Sequence, residues 1–161
     1  MMKPIFTIIL LLIIASCSEE KLDDEIKLNE TNLTSNIKKL ITHQIKFEEV
    51  SITYVEFLEA LDDKTKKEFL KDGIETYKTS LPKWRKEASS LLKSLCSEDD
   101  IEIMEQNMYR GPGKGNFNVI EGRIKFNCKD QSKNLKYLGF EIDDRIFLSS
   151  LKEVPPGVFV R

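Results

Sequence analysis

The chain has 161 residues, with 25 basic side chains, 27 acidic ones and a formal net charge of −2 at pH 7. That length suits a single domain, and the near balance of charge removes any bulk electrostatic reason to bind nucleic acid. With one histidine, His43, and no dense cluster of cysteine and histidine, no zinc site is expected, and the sequence implies no other metal and no cofactor.

The N-terminus reads Met1, Met2, Lys3 and then an apolar run from Ile5 to Ala15 broken only by Thr7. As a helix, that run would extend roughly 16 Å, about half of a ~30 Å hydrocarbon core, so it is too short to span a membrane. A basic start, a short apolar stretch and small residues before a break describe a secretory signal peptide, here residues 1–16. The sequence Ile14-Ala15-Ser16-Cys17 resembles the lipobox of bacterial lipoproteins. The resemblance implies cleavage before Cys17, a thioether-linked diacylglycerol on its sulfur and an acyl chain on the new α-amine. Several acyl chains make an anchor effectively permanent, so the implied partner is the membrane itself. The other reading of these residues is an ordinary signal peptide with an incidental cysteine.

Residues 17–30 read as the lipidated cysteine and an acidic tether, with Ser18-Glu19-Glu20-Lys21-Leu22-Asp23-Asp24-Glu25 too polar to fold alone. Ser18 is similar to the residue that follows the cysteine in lipoproteins sorted to the outer membrane. Ser18-Glu19-Glu20 also resembles the acidic export signal of surface-displayed lipoproteins in some Gram-negative bacteria. The implied location is the bacterial cell envelope, lipid-anchored at the outer membrane, with the periplasmic and surface faces both open. Removal of residues 1–16 leaves 145, and loss of Lys3 leaves 24 basic residues against 27 acidic ones, a balance of −3.

The folded domain is expected over residues 31–154. From Thr34 to Leu61 apolar residues recur at three- and four-residue steps through Ile37, Leu40, Ile41 and Ile45, then Phe47, Val50, Tyr54, Phe57 and Leu61. This predicts one helix, capped by Asn32, Thr34 or Ser35, whose drifting stripe buries more than one face or marks a bend. A short second helix is predicted after Asp62-Asp63, with a capping box from Thr65 to Glu68 and Gly73 at its end. A third keeps Tyr77, Leu81, Trp84, Ala88, Leu92 and Leu95 on one face, and Lys83, Arg85, Lys86, Glu87 and Lys93 on the other. Pro82 suits a first turn, which puts Ser80 at the N-cap and leaves 74–79 as a loosely helical lead-in.

From Ile101 the period changes to two. Ile101-Glu102-Ile103 alternates, as do Ile120 to Cys128, Leu138 to Ile142, and Ile146 with Leu148. Turn signals at 111–116, 129–134 and Asp143-Asp144 separate these stretches. The predicted fold class is α+β, about three N-terminal helices packed on the apolar face of a four-stranded antiparallel meander, with residues 155–161 as a C-terminal tail. The segment "KYLGFEIDDRIFLSSLKEV", residues 136–154, resembles the closing hairpin of cystatin-like and nuclear-transport-factor-2-like folds. That resemblance implies an architecture and no chemistry.

Cys96 and Cys128 remain as either a disulfide or two buried thiols. Closing that loop would contribute about 3.7 kcal/mol on the chain-entropy model. The Gly-rich stretch "YRGPGKGNF", residues 109–117, offers Arg110, Gly111, Gly113, Lys114 and Gly115 as a contact loop whose amides and cations suit an anion. It lacks the spacing of a phosphate-binding P-loop, and its Gly and Pro residues favour the reading as a hairpin tip. Glu98, Asp99, Asp100 and Glu102 read as a solvated loop, and Tyr77 and Trp84 as core. No catalytic residue is assigned, since nothing beside His43 forms a nucleophile signature. The expected function is non-catalytic binding or interaction in the cell envelope, with the partner left open and an envelope protein as one candidate. An immunity protein or inhibitor of an envelope-acting enzyme is the alternative, with the 110–116 loop as its surface. A small hydrolase with an unrecognised site is the third reading.

Overall fold

The computed structural model describes residues 26–72, 74–96, 101–113, 116–129 and 131–155, apart from the side chains of 71, 72, 74 and 75. The signal peptide, Cys17, the acidic tether through Glu25, Gly73, residues 97–100, Lys114, Gly115, Asp130 and residues 156–161 lie outside the described residues. Among the described residues, four α-helices and one 3₁₀ turn precede four strands, so the class is α+β with the helices first. The helices are α1 (Leu33–Ile41), α2 (Tyr54–Ala60), α3 (Asp63–Asp72) and α4 (Ile74–Leu95), with the 3₁₀ turn at Phe47–Glu49. The strands β1 (Glu102–Pro112), β2 (Phe117–Cys128), β3 (Gln131–Ile142) and β4 (Arg145–Val154) form one antiparallel sheet in sequence order.

The single helix expected over 34–61 is two helices with an extended piece between them. Asn29 and Asn32 set up the first, each side-chain oxygen accepting from the other's backbone N–H at 3.1 and 2.9 Å. It stops where Thr42 Oγ1 bonds back to the Lys38 carbonyl (3.0 Å) and His43 turns to φ 58°. Beyond the 3₁₀ turn, Val50, Ile52 and Thr53 favour extended backbone because of their branched Cβ atoms. There the Leu148 N–H donates to the Val50 carbonyl (2.9 Å), so tertiary pairing with β4 takes residues the helical spacing had claimed. α2 then starts on a reciprocal cap: Thr53 Oγ1 accepts from the Glu56 N–H (3.2 Å), and the Thr53 N–H donates to the Glu56 carboxylate (2.7 Å).

α3 is capped by Asp62, which accepts from both the Thr65 N–H (2.8 Å) and the Thr65 hydroxyl (3.0 Å), so Thr65 lies inside the helix instead of opening it. The Thr65 N–H, through that bond, also holds the Asp62 carboxyl below the usual range. α4 is continuous through Pro82, and Ser80 is not its N-cap. Proline removes one N–H from the ladder, but Pro82 is exposed while Leu81, Ala88, Leu92 and Leu95 are buried beneath. Burial of that face outweighs one lost bond.

The strands run longer than their apolar alternation, because pairing of backbone groups continues into polar residues such as Gln131 to Asn134. Asp143 and Asp144, at φ 48° and 61°, make the two-residue turn between β3 and β4. The register splits the sheet's apolar residues between two faces. One face carries Ile120, Ile124, Phe126, Leu135, Tyr137 and Leu148 and is covered by α1 and the second half of α4. Alternation puts Phe117, Phe140, Ile142 and Phe147 on the opposite face, where α2, α3 and the first half of α4 meet them. The expectation of helices stacked on one apolar face is corrected accordingly. α4 lies along β4 and joins the two cores.

Candidate functional site

α4 buries one face and turns Arg85, Lys86, Ser89, Ser90 and Lys93 outward, and three adjoining clefts follow that outer side. One, of about 450 Å³, opens between Leu81, Arg85 and Ser89 of α4 and the Glu48 to Tyr54 segment. A second, of about 260 Å³, lies between His43, Lys46 and Phe47 on one wall and Ser89, Leu92 and Lys93 on the other. The third, of about 650 Å³, sits at the end of α4 among His43, Lys93, Cys96, Cys128, Lys129 and Lys133. Lys93 borders all three.

Local chemistry holds these walls. Arg85 Nη2 donates to the Glu48 carbonyl (2.9 Å), and Ser89 Oγ donates to the Glu48 carboxylate (2.7 Å). The Ser89 hydrogen bond keeps the Glu48 carboxyl below its ordinary value despite partial burial, with Arg85 and Lys46 adding attraction. His43 Nε2 lies 3.3 Å from the Cys96 carbonyl oxygen. Cys96 and Cys128 are joined by a disulfide with their Cα atoms 6.0 Å apart, tying the end of α4 to the end of β2. Lys133 Nζ faces the Glu153 carboxylate at 3.4 Å.

The Gly-rich stretch takes a different form from a long free loop. Tyr109 to Pro112 belong to β1, with Gly111 opposite Val119 and Pro112 opposite Asn118. Arg110 is not a protruding cation: its Nε meets one Glu141 oxygen at 2.6 Å, its Nη2 the other at 2.6 Å, and Nη2 also reaches Glu30 at 3.2 Å. These carboxylates push its pKa up, Glu141 foremost. Gly113 donates its N–H to the Phe117 carbonyl (3.1 Å), and a Cβ there would overlap the Phe117 ring. Asn116 holds the turn down by donating to the Ala60 carbonyl (3.0 Å) and accepting from the Asp62 N–H (3.3 Å). Strand pairing and these distant partners, invisible in the local sequence, convert most of the stretch into sheet. Lys114 and Gly115 lie outside the described residues.

Two cysteines and His43 are thus brought to one cleft, while Arg110, Gly111 and Gly113 lie elsewhere, on β1 and the turn that follows it. The groove cations Lys46, Arg85, Lys86 and Lys93 escaped the sequence reading, three of them as the ordinary polar face of an amphipathic helix. Their only signal was an excess of basic over acidic residues on that face. Among the described residues, no three His, Cys, Asp or Glu side chains converge to hold a metal ion. Comparison with protein-family models, curated proteins and solved structures finds no match for the chain.

Proposed function

We propose that this is a lipid-anchored protein of the bacterial cell envelope, held at the outer membrane through Cys17, whose folded domain works by binding a protein partner. The observation that carries the reading is the stretch Ile14-Ala15-Ser16-Cys17 at the end of a short apolar run, followed at once by acidic residues. The spacing is consistent with an anchored domain. Residues 18–25 separate Cys17 from Ile26, the first described residue, and at ~3.3–3.6 Å per residue they reach at most ~29 Å. No helix among the described residues is long and apolar enough to cross a membrane.

Metabolic labelling with a fatty acid tests the anchor. The parent should incorporate label and the Cys17→Ala variant should not, because the thioether requires that sulfur. Equal labelling of both would sink the assignment. The reading as an immunity protein or inhibitor is favoured by one observation, the gathering of cations along α4, which suits an acidic protein surface. The hydrolase reading gains less support: His43 shares a cleft with Glu48, but the Glu48 carboxylate is engaged by Ser89.

A further inference from the structure

We infer that the groove along the outer side of α4 is a docking site for an extended, acidic peptide segment of a partner protein; this deepens the binding reading and rests on it. The three clefts adjoin one another through shared lining residues. Lys93 borders each, Ser89 and Glu48 join the first to the second, and His43 joins the second to the third. Along the helix the groove runs from Leu81 to Cys96, fifteen steps of ~1.5 Å, or about 22 Å. At ~3.3 Å per residue an extended chain covers that length with about seven residues.

Charge selects the sign of the occupant. Lys46, Arg85, Lys86 and Lys93 line the first two clefts, and Glu48 is the one carboxylate among their described lining residues. That carboxylate is already occupied by the Ser89 hydroxyl and lies beside Arg85. The chain as a whole is slightly acidic, so this is local segregation and not bulk composition. Arg85 is held in place by its bond to the Glu48 carbonyl, which lowers the ordering cost of presenting a guanidinium to a carboxylate.

The apolar part of the lining selects the class. Half-buried Tyr54 borders one cleft and half-buried Ile45 the next, while Ile52, Leu81, Leu40 and Leu92 beside them are already buried in the core. A phosphate polymer or a lipid headgroup would use the cations and leave Tyr54 and Ile45 idle. A peptide that interleaves acidic and aliphatic residues would use both.

The test uses the whole mature chain and a fluorescein-labelled peptide of alternating glutamate and leucine, followed by anisotropy. The peptide should bind at low salt and weaken at least ~10-fold on raising salt from 50 to 300 mM, as screening requires. A glutamine/leucine peptide should bind at least ~10-fold more weakly. Lys46, Lys86 and Lys93 are exposed, so the triple variant Lys46→Glu/Lys86→Glu/Lys93→Glu should keep the parent Tm and lose ~10-fold or more in affinity. If that variant loses its melting transition, the single Lys93→Gln chain carries the comparison, with a loss of ~3-fold expected. Absence of binding, equal binding of the glutamine/leucine peptide, or unchanged affinity in the lysine variants overturns the proposal. So does tighter binding of inorganic polyphosphate or of phosphatidylcholine vesicles containing phosphatidylglycerol. Binding that appears only after Glu19, Glu20, Asp23, Asp24 and Glu25 are changed to glutamine or asparagine assigns the groove to the chain's own tether and overturns the partner. Fatty-acid labelling is independent of every one of these measurements, so the anchor and the groove fail separately.

Discussion

At Gly122 the backbone of β2 passes so close beneath the Tyr137 ring that an added Cβ would overlap its Cζ and Oη atoms. The two residues face each other across the β2–β3 ladder, and Tyr137 is fully buried. Gly122→Ala must therefore push the ring or the strand aside, at a cost of ~1–3 kcal/mol. Thermal unfolding should show a Tm lower by roughly 2–4 °C for each kcal/mol; an unchanged Tm would mean the ring moves freely. Burial also pushes the Tyr137 phenol up from its ordinary value of 10.0. The folded state then holds its proton more tightly than the unfolded chain. The stabilisation is complete below pH ~10 and is lost as pH rises through the folded value. Tyr137→Phe, which gives up a 3.4 Å hydrogen bond to the Asn107 carbonyl and the one with the Gln106 side chain, should flatten the alkaline fall in stability above pH ~10. Denaturant titrations at pH 8 and pH 10.5 would check this, and parallel losses in both proteins would reject it.

Among elements, α4 depends most on what lies at its ends. Its C-terminus is tied by the Cys96–Cys128 disulfide to the end of β2, across a sequence separation of 32. On the chain-entropy model that closure stabilises the fold by about 3.7 kcal/mol. The Cys96→Ala/Cys128→Ala chain should lose a comparable amount in urea titration, with the loss replicated in the parent by reductant. Non-reducing peptide mapping of protein prepared without reductant should recover one cross-linked pair, and two freely alkylated thiols would rule the bridge out. Because both cysteines line the cleft at the end of α4, reduction should also loosen that end of the groove.

For the whole molecule, the division of the core between two sheet faces sets what unfolds with what. Phe57 is the centre of the second cluster, with ring centroids 4.9–6.0 Å from Phe69, Tyr77, Phe117 and Phe140. Trp84, by contrast, is only half-buried and meets Tyr77 edge-on at 6.4 Å. Phe57→Ala should cost ~3–5 kcal/mol, a large part of a domain's usual ~5–15, and Trp84→Ala distinctly less. α4 supplies Leu81 to one cluster and Ala88, Leu92 and Leu95 to the other. The weakened Phe57→Ala protein should therefore still unfold in one transition, with near- and far-ultraviolet circular dichroism coincident. Separated transitions would show that the clusters are independent folding units.

Element types and their order were legible in the sequence. The switch from helical to twofold spacing near Ile101, the Asp62 cap and the Asp143-Asp144 turn are local signals, written within a few residues of where they act. The address proposed at Cys17 likewise rests on the sequence alone. What only the tertiary structure decided depends on partners far along the chain. Val50 leaves the helical pattern because Leu148 pairs with it, Arg110 is neutralised by Glu141 and Glu30, and Asn116 ties its turn to Ala60. The same holds for the groove: Lys46 and Lys93 are 47 residues apart and line one cleft only because α4 packs beside the segment that follows α1. Periodicity reports that a side chain faces water or core, and it carries no information about which other side chains share that water or that core. That assignment comes from strand register and helix placement, which long-range burial determines.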